Sequence, residues 1–443
     1  MKTLKFRYFI LAAAVVAIIL LAGGHQLPKY SSRLTSLAAL AIVDILYWLA
    51  LQKSISLRFK PFLTVAYWLP LSTLLCFFLV GIIVPYSQWY LFPRIYVPGL
   101  LLILLIGKGT FLTFLIAGDF LMIPFNLIKR FRTKGRNFPG TWRRPRFLLM
   151  VSGGVSTFIM LVYFAGMFLW VRDYKVTTVE IPVKNLPEAF DGFRIVQLSD
   201  MHLGTLLNDS PLKKIVKLVN DQQPDAILFT GDMVNFTTAE AYPFVNTMKE
   251  FSAKDGIFAI LGNHDYGEYN QWNSEKEKIL NNNALYDFYK RIGWHLLRNE
   301  NSIIGRDTAS IAIIGVENWS KTKRFGKKGD VVKALAGSEA SRFKILMSHD
   351  PSHWDGEVNS KFPQIGLTLS GHTHAFQLAF EYGDIKWSPS SMIFQQWGGL
   401  YEKVHPNGVK QFLYVNRGTG TLGYPGRIAT RPEITVLILR KSN

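Results

Sequence analysis

The chain has 443 residues, of which 49% are hydrophobic and 18% charged, and 50 Lys+Arg stand against 31 Asp+Glu. An aromatic content of 14% and aperiodic glycines exclude a disordered or collagen-like chain, and the single cysteine excludes a disulfide scaffold. Residues 1–171 hold 18 Lys/Arg and two acids, Asp44 and Asp119, against 32 and 29 in residues 172–443, so the basic excess belongs to the apolar part and not to a nucleic-acid-binding face.

In chain order the first part reads as membrane helices. A bilayer core takes about 20 mostly apolar residues per helix. Runs at 8–22, 34–51, 62–84 and 147–171 meet or approach that length. Residues 96–128 form a longer run holding Gly107-Lys108-Gly109 and Asp119, either one tilted span or a broken helix. The first run also resembles a secretory signal peptide, but several spans follow it and no small-residue cleavage site is clear. With five spans and a cytoplasmic amino terminus, the inside segments hold 14 basic residues and the outside segments three, Lys29, Arg33 and Arg94. This bias predicts that everything after Val171 faces outward. Lys108 and Asp119, about three turns apart on one helix face, are expected to pair within the membrane or to sit near span ends. Tyr67, Trp68, Tyr86, Trp89, Tyr90 and Trp170 read as interfacial aromatics.

After a short linker at 172–175 the pattern changes. Strands are expected at 177–182, 193–198, 226–229 and 257–261, with helices opening at Ser210-Pro211 and covering 239–251. Further strands are expected at 311–316, 343–347, 366–369, 411–415 and 434–439. The alternation predicts an α/β fold with a layered sheet. The domains are thus 1–171, helical and transmembrane, and 172–443, α/β.

The chemistry gathers where those strands end, which is where ligands bind in open α/β sheets. The motifs are Asp200-Met201-His202, Gly231-Asp232, Gly262-Asn263-His264, Ser348-His349 and Gly371-His372-Thr373-His374. Five of the nine histidines fall in these short loops, which chance does not explain. Imidazole nitrogens, two carboxylates and an amide oxygen are a mixed donor set that suits Mn, Fe or Zn better than Mg or Ca. Two such ions bridged by one carboxylate acidify a shared water and neutralise phosphoryl charge.

In that order the five motifs resemble the calcineurin-like metallophosphoesterase superfamily, from about Val179 to the carboxyl end. The contexts Leu198 to Gly204 and Ser370 to His374 are similar to its membrane-associated branch. So is the tail holding Asn416 to Gly420, Arg427 and Arg431 to Ile434. That branch includes transmembrane metallophosphoesterases and relatives of UDP-2,3-diacylglucosamine pyrophosphatases. The resemblance implies a two-sheet sandwich flanked by helices and two divalent metals. Asp200, His202 and His374 would hold one ion, Asp232 would bridge, and Asn263, His349 and His372 would hold the other. His264 would stay off the metals and protonate or stabilise the leaving oxygen. Two departures stand out. Asn235 occupies a place where many relatives carry an Asp that orients the catalytic His, which predicts a lower pKa for His264. Ala375-Phe376-Gln377 replaces the usual Gly-Gly-Gln, and the phenyl ring would either narrow the cleft or meet an apolar substrate.

Around these motifs, Arg417 and Arg427 are candidates for a phosphate clamp, with pairing to surface acids the other reading. Asp265 is expected to brace His264 or a metal ligand. His353 is expected at the surface or behind the ligands, and His25, His295 and His405 as solvated or interfacial. The basic run 324–328 reads as a solvated loop or a contact to anionic lipid heads. The expected activity is hydrolysis of a phosphodiester, phosphomonoester or pyrophosphate on a phospholipid, glycolipid or nucleotide-lipid, with membrane lipids and not nucleic acid as partners. The expected location is the bacterial cytoplasmic membrane with the catalytic part outside. One rival is UDP-2,3-diacylglucosamine cleavage, which needs the domain inside. Another is a transporter or sensor whose phosphoesterase-like domain is regulatory, supported by Asp44, Lys108 and Asp119 alone.

Overall fold

The computed structural model describes residues 31–442 apart from 53–59, 85, 133–145, 185, 323–325 and 384. The expected span at 8–22 and most of the basic loops lie outside the described residues. The chain separates into two compact units. One takes residues up to Trp89 together with Leu100–Phe164, and the other takes Tyr90–Gly99 and the chain from Ala165 onward.

Among the described residues the long helices of the first half are α1 (Ser31–Leu51), α2 (Lys60–Ile83), α3 (Leu91–Arg132) and α4 (Arg146–Phe168). Three stretches among the described residues, Lys60–Ile83, Leu91–Phe125 and Phe147–Arg172, are long and apolar enough to cross a membrane. The apolar part of α1, Leu34–Leu49, is shorter than such a span. Helix α3 runs unbroken through Gly107-Lys108-Gly109, so the alternative of a broken helix there is removed. Gly107 lies where a Cβ would fall 2.3 Å from Met160 Sδ, and its carbonyl accepts from Ser156 Oγ at 2.6 Å, the small-residue contact expected between apolar helices. Lys108 does not pair along its own helix with Asp119. Eleven residues are about 16 Å of rise, beyond side-chain reach. Its Nζ instead donates to Asp44 Oδ2 of α1 at 2.5 Å and to the Tyr67 carbonyl at 3.0 Å, over the Tyr67 ring.

The second unit is built on two six-stranded sheets. The first is ordered β1 (Lys175–Val183), β14 (Glu433–Lys441), β2 (Arg194–Leu198), β3 (Ala226–Phe229), β4 (Ile257–Ala259) and β5 (His295–Leu296). The second runs β12 (Gly399–Val404), β13 (Lys410–Val415), β9 (Leu367–Ser370), β8 (Phe343–Met347), β7 (Ala309–Gly315) and β6 (Glu300–Arg306). A separate hairpin joins β10 (Phe380–Tyr382) and β11 (Ile385–Trp387).

The central strands are buried on both faces, which is why they read as continuous apolar runs. Ile195, Leu228, Ile313, Ile345 and Leu369 meet between the sheets. The alternate residues Val196, Leu198, Ile227 and Phe229 face α5 (Ser210–Asn220) and α6 (Glu275–Ile292), the latter absent from the expected elements because its apolar stripe is thin. The helix expected over 239–251 is instead two short 3-10 turns and a four-residue helix, Val245–Met248. Pro243 cannot donate to a continuing helical ladder.

Strands β2, β3 and β4 run parallel to one another, as do β7, β8, β9 and β13. Their carboxyl ends therefore lie at a common edge, and Gln197 ties the sheets there by donating to the Ser370 carbonyl at 2.9 Å.

Candidate active site

Every motif loop leaves the carboxyl end of one of these parallel strands. Asp200 and His202 follow β2, Asp232 follows β3, Asn263 and His264 follow β4, His349 follows β8, and His372 and His374 follow β9. The turns are sharp enough that five of these side chains sit on left-handed backbone: Asp200 (φ 50°), His202 (46°), Asp232 (60°), His372 (70°) and His374 (49°). Such conformations cost roughly 1–3 kcal/mol each in non-glycine residues and persist only where surrounding packing imposes them. The motif glycines make the approach possible. A Cβ on Gly262 would fall 2.1 Å from Asp232 Oδ1, and one on Gly371 would fall 1.9 Å from Ser199 Oγ and 2.3 Å from Asp200 Oδ2.

Two buried donor clusters result, Asp200–His202–His374 and Asp232–His349–His372, each with its donor atoms within 4.8 Å of one another. Asp232 Oδ2 stands between them, 3.7 Å from His202 Nε2 and 3.3 Å from His349 Nε2. Asn263 Oδ1 joins the second cluster, 3.2 Å from His349 Nε2. In the first, the Nε2 atoms of His202 and His374 face each other at 3.1 Å, while the Nδ1 atoms of both are buried without a hydrogen-bond partner. In the second, His372 Nδ1 faces His349 Nε2 at 3.2 Å. Nitrogens facing one another in a buried site need a proton or a cation between them. The mixed N/O donor set therefore fits two divalent ions.

The charges around the clusters agree. Burial pulls the His202 imidazole down to about 3, leaving it neutral. Burial also disfavours the charged form of His349, but the adjoining Asp232 carboxylate outweighs it and pushes the group up to about 10. Asp200 is held well below the usual carboxylate range, because His374 outweighs the cost of its burial.

A further set of groups fixes these donors. The Asp265 carboxylate braces the bridging loop rather than His264. It accepts from the backbone N–H groups of Asp232, Met233, Val234 and Gly262 at 2.9–3.2 Å. His349 Nδ1 donates to the Thr230 carbonyl at 2.7 Å, which turns Nε2 toward the site. His353 is buried, not at the surface: Nδ1 meets Ser348 Oγ at 2.8 Å and the ring stacks on Trp319. Two partners had no signal in the motifs. Asp350 Oδ2 lies 3.7 Å behind His372 Nε2. Tyr269 accepts from Asn263 Nδ2 at 2.7 Å, aiming the amide oxygen at the cluster, and stacks on His264 with ring centroids 4.0 Å apart. Asp350 directly follows a motif histidine, so adjacency could have found it; Tyr269 is six residues beyond Asn263 on an irregular loop.

His264 lies beside the first cluster, its ring edge-on to His202 at 5.0 Å. Its Nδ1 approaches the Asn235 carbonyl at 2.8 Å, and because a carbonyl only accepts, the proton sits on Nδ1 and Nε2 is the working atom. The main chain of residue 235 thus orients the ring, whatever its side chain. Burial holds the His264 pKa below its ordinary value. Asn235 is itself fixed through its N–H to Glu240 Oε2 at 2.7 Å, and Arg94 lies 3.3 Å from the other Glu240 oxygen.

The two arginines expected as a clamp are otherwise engaged. Arg427 is fully buried and donates through Nη2 to the carbonyls of Arg417, Gly418 and Gly420, so it braces the 416–420 loop and offers no face to a phosphate. Arg417 pairs with Glu381 and Glu433. It lines a cavity of about 470 Å³ with Trp170, Lys175, Glu381, Arg431 and Glu433 among its walls. Phe376 is half exposed beside His374.

The family model for calcineurin-like phosphoesterases matches residues 193–376. An uncharacterized metallophosphoesterase of Bacillus subtilis (strain 168) is 30% identical over 285 residues, 63% of this chain and 90% of the relative. A transmembrane protein with metallophosphoesterase domain from Danio rerio is 30% identical over 293 residues, 65% of this chain and 62% of that protein. The chain thus spans less than two thirds of the length of that transmembrane relative. Among solved structures, NAD nucleotidase of Haemophilus influenzae is 17% identical with a TM-score of 0.35, over 51% of this chain and 45% of that one.

The chain belongs to the calcineurin-like phosphoesterase family. Its second unit is a metallophosphoesterase domain with two residue clusters able to hold divalent metals, and its apolar helices associate it with a membrane.

Proposed function

We propose that the protein is a membrane-bound phosphohydrolase that cleaves a phosphodiester, phosphomonoester or pyrophosphate bond on a phospholipid, glycolipid or nucleotide-lipid. We place its catalytic unit outside a bacterial cytoplasmic membrane. The observation that carries the reading is the convergence of seven donor side chains in a unit whose first strand begins at Lys175, three residues beyond the span-length stretch ending at Arg172. Tethering to the bilayer raises the local concentration of lipid-borne substrates, and the 14-to-three bias of basic residues supports the outward orientation.

Asp200, His202 and His374 would hold one ion, Asn263, His349 and His372 the other, with Asp232 between them. When bound, the ions neutralise phosphoryl charge and acidify the attacking water. Asp265 keeps the Asp232 loop in place, and Tyr269 keeps the Asn263 oxygen turned inward. His264, held at Nδ1–H by the Asn235 carbonyl, turns Nε2 toward the leaving oxygen; Nε2 first takes up the proton that the attacking water releases, and the resulting imidazolium then stabilises the leaving oxygen or passes that proton to it.

The test is hydrolysis of bis-p-nitrophenyl phosphate by the purified full chain across Mn²⁺, Fe²⁺ and Zn²⁺. Turnover that disappears on chelation supports the reading. No turnover with any divalent ion would refute it. Alkaline phosphatase fused after Asn443 should be active, whereas a signal only from a cytoplasmic reporter would reverse the orientation and favour UDP-2,3-diacylglucosamine cleavage.

A further inference from the structure

The hairpin β10–β11 follows directly on the His372–Gln377 loop and is amphipathic in an inverted sense. Its register places Phe380 opposite Trp387, Glu381 opposite Lys386, and Tyr382 opposite Ile385. Directly opposed residues share a face and successive residues alternate, so Phe380, Tyr382, Ile385 and Trp387 form one face, and Glu381 and Lys386 the other. The polar face is the one turned to the domain, because Glu381 pairs with Arg417 of the 416–420 loop. The apolar face is left without cover: its four side chains are 50–76% exposed. Met392 and Ile393, just beyond the hairpin, extend the apolar surface at 83% and 65% exposure. A lone two-stranded ribbon is marginal in water, and four large apolar side chains on its outer face add exposed apolar area that a water-facing hairpin would avoid.

We infer that this face docks into the interfacial layer of the membrane that the chain's own helices enter. Three observations select the bilayer as the occupant. Trp170, in the last turn of the candidate span Phe147–Arg172, lines the same cavity as Ala379 and Glu381, so the root of the hairpin lies beside the end of a span. Only Asp173 and Tyr174 separate Arg172 from Lys175, and three Cα-to-Cα steps cover about 10 Å at full extension, so the first strand starts on a short tether from the end of that span. The composition is that of an interfacial anchor: Trp387, Tyr382 and Phe380 on the docking face, with Lys175 and Arg431 in the cavity wall at the hairpin's root.

The hairpin is tied rigidly to the active-site loop. Ser388 Oγ donates to the Ala375 carbonyl at 2.7 Å, and Thr373 Oγ1 donates to the Trp397 carbonyl at 2.6 Å. Docking would therefore hold the His372–His374 loop at a fixed height above the headgroups. This inference rests on membrane association and not on any particular substrate.

The experiment uses the full chain in nanodiscs of phosphatidylethanolamine and phosphatidylglycerol, in a Cys76→Ser background. Single cysteines are introduced as Tyr382→Cys, Met392→Cys and, on β6 at the far edge of the second sheet, Ile303→Cys, and each is labelled with an environment-sensitive fluorophore. Lipids spin-labelled at a shallow acyl position should quench positions 382 and 392 at least threefold more than 303, with a blue shift at both. Equal quenching at all three positions would overturn the inference. Equal lipid quenching with concentration-dependent protection of 382 and 392 from an aqueous quencher would overturn it in favour of a protein interface. Retained bis-p-nitrophenyl phosphate turnover in each labelled protein establishes that the domain is folded. Loss of turnover in the unlabelled background would bear on the proposed activity alone, because quenching reads docking without it.

Discussion

The helical unit and the catalytic unit both bury charge, and they do so in opposite ways. In the first, one cation meets one anion: Lys108 Nζ lies on Asp44 Oδ2, and the remaining contact goes to the Tyr67 carbonyl. The account closes within the protein, on ordinary helical backbone. In the second, imidazoles face imidazoles and two carboxylates lie among them, with five of the seven donors on left-handed backbone. That arrangement needs protons or cations between the facing nitrogens. The difference separates a structural pair from a ligand-binding site without reference to any motif, and it argues against making Lys108 and Asp44 the working part of a transporter.

The comparison breaks most readily at the bridging carboxylate. Asp232→Asn should abolish phosphodiester turnover and reduce bound metal, read together by colourimetric assay and elemental analysis; full activity would remove Asp232 from the centre. His264→Ala comes next, with turnover expected to fall roughly 10²–10⁴-fold while metal content stays unchanged. Loss of metal in that variant would contradict its off-metal role. Tyr269→Phe removes the hydroxyl that aims Asn263 and should lower metal affinity or activity by roughly tenfold, whereas Tyr269→Ala, which also removes the ring on His264, should cost more in kcat.

On the other side of the comparison, Lys108→Met leaves Asp44 buried without its partner. Breaking a buried pair in this way costs about 3–5 kcal/mol, and replacing both members costs much less. The expected outcome is a lower unfolding temperature for Lys108→Met, recovered in Lys108→Met/Asp44→Leu, with bis-p-nitrophenyl phosphate turnover unchanged in the double variant.

The smallest effect is on pH. The proton that Asp232 holds on His349 must leave when a metal binds there. The group is pushed up to about 10, so near neutral pH loading should release a proton and weaken as pH falls. Calorimetry in buffers of different ionisation enthalpy would detect it; a buffer-independent enthalpy would contradict it.

The amino-acid sequence by itself determined the family, the α/β alternation, the apolar stretches and the motifs that supply the two residue clusters, because each is written in local spacing: period, span length and short motifs at strand ends. It misplaced Lys108, whose partner lies on another helix, and made a helix of 239–251 despite Pro243. It left Arg427 open between a phosphate clamp and pairing with surface acids, Tyr269 unnoticed and the hairpin at 380–387 unread. All of these depend on which distant segments meet. Only the tertiary structure decided that Arg427 is walled in by three carbonyls, that the backbone of Asn235 orients His264, and that a four-residue apolar face points away from the domain. Contacts between residues far apart in the chain are set by packing, and packing leaves no periodic trace in the order of the residues.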